Sequence, residues 1–163
     1  MREAGLGIDI GNGSISIAVV EGENIIYKDY RLHRGELYQN LVDMRGQVET
    51  SCGDRILYAA VNPGAVCLYP GIHKEVQINR ISSLLEGQRM LYPDAGSIVE
   101  MGAQNSCFLT GIREGETLSY AMNGECAAGT GAFFEDQMYR LGLPLSAYSE
   151  YVRRAKSVPR LAG

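Results

Sequence analysis

Apolar and polar positions along this chain follow two periods in turn, the strand period of two and the helix period of three to four. Leu6-Gly7-Ile8-Asp9-Ile10 reads as a short buried strand that carries one acid, and Gly11-Asn12-Gly13-Ser14 as a tight turn in which Asn and Gly supply positive φ. From Ser14 to Val20 the apolar residues Ile15, Ile17 and Val19 alternate with small or polar ones, the mark of a half-buried strand. Glu21-Gly22-Glu23 makes a second turn, and Asn24 to Tyr30 a third strand. The period then changes. Leu37, Leu41, Met44 and Val48 form one helical stripe, Arg55 to Val61 returns to a strand, and Asn62-Pro63-Gly64 breaks it. An irregular stretch runs to His73, after which Ile78, Ile81, Leu84, Leu85 and Leu91 predict an amphipathic helix closed by Pro93.

Beyond Pro93 the pattern restarts. Ile98-Val99-Glu100-Met101-Gly102 repeats the order apolar, acid, apolar, glycine of Ile8-Asp9-Ile10-Gly11 at an offset of 91 residues, and Glu114-Gly115-Glu116 repeats Glu21-Gly22-Glu23 at an offset of 93. Each copy leads through strand, turn, strand, turn and strand towards a helix, so an internal duplication is expected. In the second copy that helix carries Phe134, Met138 and Leu141 at i, i+4 and i+7, with Glu135 and Asp136 expected in its first turn at the positive end of the dipole, and Gly142 and Pro144 as its stop. A further helix is expected over Ser146 to Lys156.

Composition narrows the class. The chain has 163 residues, is 45% apolar and 21% charged, and carries a net charge of −4. That is the profile of an ordinary globular protein, with no basic block suited to nucleic acid and no apolar run of membrane-spanning length. The N-terminus lacks a secretory apolar region, so a cytoplasmic location is expected, with no membrane partner. The four cysteines, Cys52, Cys67, Cys107 and Cys126, are irregularly spaced, without a Cys-x-x-Cys pair, and His33 and His73 have no companion ligands in sequence. Any metal centre held by one of these thiols therefore needs ligands from elsewhere.

Two features carry chemistry. Turns built of Gly, Asn and Ser expose backbone N–H groups that can cradle phosphate, and an acid one strand residue before such a turn suits Mg2+ held through water. Two such hairpins, one from each copy, could hold the phosphates of one nucleotide from opposite sides. No P-loop and no dinucleotide-binding glycine pattern competes with them. The second feature is Asn123-Gly124-Glu125-Cys126-Ala127-Ala128-Gly129-Thr130-Gly131-Ala132-Phe133-Phe134. It sets a single thiol among small residues before a helix, where a thiolate is favoured. By itself this reads either as a small buried cysteine beside a glycine-rich turn or as a metal ligand.

The stretch Cys126-Ala127-Ala128-Gly129-Thr130-Gly131 resembles the signature of the ATP-dependent activators of 2-hydroxyacyl-CoA dehydratases and of the related ATPase subunits of benzoyl-CoA reductase. Gly7-Ile8-Asp9-Ile10-Gly11-Asn12-Gly13-Ser14 and Glu100-Met101-Gly102-Ala103-Gln104-Asn105-Ser106 resemble the first and second phosphate motifs of the actin, sugar-kinase and heat-shock-chaperone superfamily to which those activators belong. The resemblance implies an α/β fold of duplicated ribonuclease-H-like mixed sheets flanked by helices. The first lobe would span residues 1–94, and an incomplete second lobe 95–163, the chain being an N-terminal fragment. It further implies ATP and Mg2+ between the lobes. Asp9 would hold the metal through water, and Glu100 and Gln104 would help place the attacking water. Nucleotide contacts would come from Gly11, Asn12, Gly13, Ser14, Gly102, Ala103, Gly129, Thr130 and Gly131. Cys126 would ligate a 4Fe–4S cluster bridging the two subunits of a homodimer, and the electron would pass to a CoA-ester dehydratase or reductase.

The chain departs from the family pattern at several places. Ser16 and Cys107 stand where lysines are common, Glu100 and Asn105 replace aspartates, Ala103 replaces a glycine, and Gly124-Glu125 replaces Asp-Lys before the cysteine. The lost cations motivate an alternative, a degenerate nucleotide-binding regulatory module with little turnover. A small-molecule kinase of the same fold is a third possibility, although no residue nominates itself as an acceptor base. Cys107 is expected to be a buried strand residue rather than a second ligand.

Overall fold

The computed structural model describes residues 3–53, 56–62, 74–124 and 131–157. Eight strands and four α-helices occur among them, arranged on two sheets.

The first sheet is mixed and five-stranded, in the order β3-β2-β1-β4-β5. Strands β1 (Ala4–Ile10), β2 (Ser14–Glu21) and β3 (Asn24–Leu32) form an antiparallel meander. Helix α1 (Leu37–Cys52) then crosses to β4 (Ile56–Val61), which lies parallel to β1, and β5 (Lys74–Gln77) continues parallel on the far side. The alternation read from Ile15, Ile17 and Val19 is the inward face of β2, all three being buried. They pack with Met44, Val48 and Cys52 of α1 and with Leu6 and Ala59, so the period-two and period-four stripes meet in one core. Leu37 and Leu41, nearer the start of the helix, pack against its rim. Helix α1 ends at Gly53, whose φ of +57° only glycine adopts readily.

Strand β5 is not visible in the hydropathy pattern. It spans Lys74–Gln77 and among the described residues pairs with β4, through Tyr58↔Lys74 to Val61↔Gln77. Helix α2 (Arg80–Leu91) follows, starting two residues later than Ile78, because Asn79 caps it by accepting the Ser82 N–H at 2.9 Å.

The second sheet comprises β6 (Ser97–Met101), β7 (Ser106–Thr110) and β8 (Ser119–Met122), antiparallel in the order β6-β7-β8. Its first hairpin repeats that of the first meander in register. Ile10↔Ile15 closes the β1–β2 hairpin and Met101↔Ser106 closes β6–β7. Gly11 N–H donates to Ser14 O at 2.9 Å, and Gly102 N–H to Asn105 O at 2.8 Å. The second connections differ in length, a tight turn between paired Glu21 and Asn24 against a loop over 111–118 between paired Thr110 and Ser119, although Gly22 and Gly115 both take positive φ, +62° and +81°. The duplication is therefore physical as well as textual. Cys107 and Leu109 of β7 are buried, as is Met138, whereas the directly paired Val99 and Phe108 on the other face are exposed.

Helix α3 (Gly131–Arg140) and α4 (Tyr148–Arg154), joined through a 3-10 turn at Leu145–Ala147, complete the described chain. Starting α3 at Gly131 corrects one expectation. Glu135 and Asp136 lie past the first turn, and Asp136 pairs with Arg140 at 2.9 Å instead of meeting the dipole. The stop is as read: Gly142 adopts φ +68° and Leu143 N–H donates to Met138 O at 2.9 Å, so Leu141 falls outside the helix and is exposed.

Because Met44 is fully buried beneath the sheet, Met44→Ala is expected to destabilise the fold by about 2–5 kcal/mol through lost contacts and the cavity left behind. Urea unfolding of the two proteins side by side measures this.

Candidate functional site

The site is built from the two equivalent glycine turns, and each is held by different means. The end of β1 is fixed by Asn62, one residue past β4. Ile10 N–H donates to Asn62 Oδ1 at 2.9 Å, and Asn62 Nδ2 donates to Ile10 O at 3.0 Å, so the side chain extends the parallel pairing where the strand has ended. His33 supports the turn from the other side. Gly35 N–H donates to His33 Nδ1 at 3.1 Å, which assigns the ring proton to Nε2, and that nitrogen lies 3.3 Å from Gly11 O. His33 N–H donates to Gly13 O at 3.1 Å. Neither residue stands out in sequence as part of a site. The only available signals were their places at the break after one strand and the end of another.

Residues Gly11, Asn12 and Gly13 were expected to need positive φ, and they do not. The demand for small residues has another cause, close approach. A Cβ built on Gly13 would sit 3.1 Å from the Ala103 Cβ of the second turn. The two turns are bridged directly, Asn12 Nδ2 donating to Gln104 Oε1 at 2.7 Å, a contact between residues 92 positions apart.

The second turn is gripped from behind by α3. Gly131 N–H donates to Gly102 O at 2.8 Å and Ala132 N–H to Ala103 O at 3.2 Å, so two of the N–H groups a helix start leaves free are satisfied by this turn. Asn123 pins the same region by accepting the Ser106 N–H at 2.5 Å while its own N–H returns to Ser106 O at 3.2 Å. The ends of the Cys126 stretch, Asn123 and Gly131, thus both attach to the second hairpin. Cys126, Gly129 and Thr130 themselves lie outside the described residues.

Asp9 and Glu100 occupy equivalent registers, opposite Ser16 and Cys107 respectively, but their surroundings differ. Asp9 is exposed and its carboxylate joins no ion pair among the described residues, which suits a hydrated cation. Glu100 is ion-paired through Oε2 with Nη2 of Arg80, the first residue of α2. Glu100 Oε2 is shielded from solvent, and Arg80 is its only partner among the described residues. Cys107 is buried, as expected of a strand residue. Among the described residues no group of three or more His, Cys, Asp and Glu side chains could hold a metal by itself, and no helix is long and apolar enough to cross a membrane.

This arrangement is that of a known fold. Component A of (R)-2-hydroxyglutaryl-CoA dehydratase from Acidaminococcus fermentans superposes with a TM-score of 0.72 at 22% identity, over 98% of this chain and 61% of that one. The activator of 2-hydroxyisocaproyl-CoA dehydratase from Clostridium difficile, solved with bound ADPNP, superposes with a TM-score of 0.67 at 18% identity, over 100% of this chain and 60% of that one. The fold is that of the dehydratase activators. In sequence, the 2-hydroxyisocaproyl-CoA dehydratase activator of Clostridioides difficile is 34% identical over 59 residues, which is 36% of this chain and 22% of that protein. No family model matches the chain. The chain spans about 60% of the length of the solved activators.

The start of α3 packs closely on the second turn at Gly131. A methyl group on Gly131 would lie 2.9 Å from Gly102 O. Gly131→Ala is therefore expected to push α3 off the turn and cost about 1–3 kcal/mol, read as a lowered midpoint in thermal unfolding.

Proposed function

We propose that the two glycine turns form the phosphate grip of an ATP site between two lobes, residues 1–94 and 95–163, in an activator-type ATPase. The observation that carries this reading is the direct bridge from Asn12 to Gln104 between turns of matching geometry. Duplicated phosphate-cradling loops have no reason to meet tip to tip in a protein that uses them only as surface turns. Exposed amides joined by one hydrogen bond exchange that bond for phosphate at little cost. Gly11, Asn12, Gly13, Ser14, Gly102 and Ala103 would line the phosphates, with Gly129, Thr130 and Gly131 beside them. Asp9 would hold Mg2+ through water, and Gln104 would orient the hydrolytic water. The bound ADPNP of one solved activator supports the same use of the fold.

Steady-state ATP hydrolysis in the presence of Mg2+ tests the reading. In the full-length protein wild type is expected to turn over, and Asp9→Ala to lose activity by at least about a hundredfold, since metal and phosphate charge stabilisation supplies much of the rate in phosphoryl transfer. Tight ATP binding without Asp9-dependent turnover would favour the rival, a regulatory nucleotide-binding module. The neutral Ser16 and Cys107 are the observation behind that rival.

The coupled chemistry rests on Cys126. In this reading its thiolate is one ligand of a 4Fe–4S cluster shared by two copies of the chain in the cytoplasm. Such a cluster would supply a low-potential electron for a CoA-ester dehydratase or reductase. Asn123 and Gly131 tie both ends of the cysteine stretch to the second turn, which supports coupling between the phosphates and that stretch. Anaerobic reconstitution of a longer chain is expected to load iron and sulfide into wild type, and Cys126→Ala is expected to abolish loading. Equal cluster content in the two proteins would end the assignment.

A further inference from the structure

The two hairpins bring a charge problem to the proposed phosphate site. Neither residues 5–16 nor residues 97–110 contain a lysine or an arginine, while each stretch carries one acid, Asp9 or Glu100. A polyphosphate placed between two carboxylates needs a cation on each side. Mg2+ at Asp9 answers for the first turn only.

Helix α2 brings a cation to the second turn. Arg80 opens that helix, and the Asn79 cap fixes where its side chain starts. Its Nη2 pairs with Glu100, lies 3.5 Å from Asn105 O, and stands 3.6 Å from where a Cβ on Gly102 would be. The guanidinium therefore rests against the bare glycine of the turn. Nη2 is the one nitrogen of this group in an ion pair or hydrogen bond among the described residues, which leaves Nε and Nη1 unused. The arginine side chain remains 32% exposed. A planar fork with one edge anchored on a carboxylate and other donors free is the geometry that binds phosphate oxygens in pairs.

We propose that Arg80 is the phosphate-binding cation of the second turn, and that Glu100 is the residue that positions it. This assignment rests on the nucleotide-site reading above, and it gives Glu100 the task of orienting a cation in place of the water-placing role that the family resemblance implied. The ion pair need not break when ligand arrives. That matters because Glu100 Oε2 is shielded from solvent and would be costly to strand as an unpaired charge.

Calorimetric titration of the full chain with ATP, ADP and AMP, each with Mg2+, tests it. Arg80→Gln is expected to weaken ATP by about ten- to hundredfold, ADP by less and AMP hardly at all, because a lost charge-assisted contact to terminal phosphates scales with their number. It should also flatten the salt dependence of ATP binding. An equal loss for all three nucleotides marks a structural ion pair and overturns the assignment, as does unchanged ATP affinity. If Arg80→Gln does not fold, Arg80→Lys decides, since it keeps the charge but loses the fork: ATP must still weaken more than AMP, and the same affinities as wild type overturn the proposal. Wild type that binds none of the three sinks the nucleotide-site reading and this assignment together. Wild type that binds ATP, weakened by Asp9→Ala but not by Arg80→Gln, sinks the assignment alone.

Discussion

The constraint on which the site depends is the crowding of main chain around the second glycine turn. Gly13 approaches Ala103 from the first hairpin, and Gly131 and Ala132 approach Gly102 and Ala103 from α3. A Cβ on Gly13 would press on the Ala103 methyl, one on Gly131 would clash with the Gly102 carbonyl, and the α3 approach closes on backbone N–H to carbonyl bonds. Such bonds form only when atoms come within about 3 Å, so small residues are required at the contact points. The result is one rigid piece of the second hairpin, Asn123 and the start of α3, touched at its tip by the first hairpin.

The duplicated unit is supported asymmetrically. In the first copy, Asn62 and His33 hold the turn with neutral hydrogen bonds, and the acid Asp9 is left open to solvent. In the second copy the acid is engaged by Arg80, and the turn is capped by a helix. One meander therefore presents a free carboxylate, the other a neutralised one with cationic donors beside it. Two copies of one motif have thus become unlike in charge. The difference is made by residues outside the repeat, at the ends of β4, β3 and α2.

Much of this was legible in the amino-acid order. The alternation of Ile15, Ile17 and Val19, the stripe of Met44 and Val48, and the offset recurrence of acid and glycine are local patterns, and each became the element it suggested. Strand β5 escaped because four residues are too few to leave a periodic trace. The role of the turn glycines was misread for a related reason. Sequence shows that a residue is small, but whether smallness serves φ or close approach depends on what lies across from it, and at Gly13 that is a residue 90 positions away.

The chain by itself determined its two periods, its repeat and its candidate acids, because these are properties of neighbours along the backbone. Tertiary structure alone decided that Asn12 meets Gln104, that Asn62 completes β1, and that Arg80 lies against Gly102. These partners are separated by 92, 52 and 22 positions. No local pattern links residues at such distances. Packing of the elements brings them within hydrogen-bonding or van der Waals reach, and charge and shape then select what they hold.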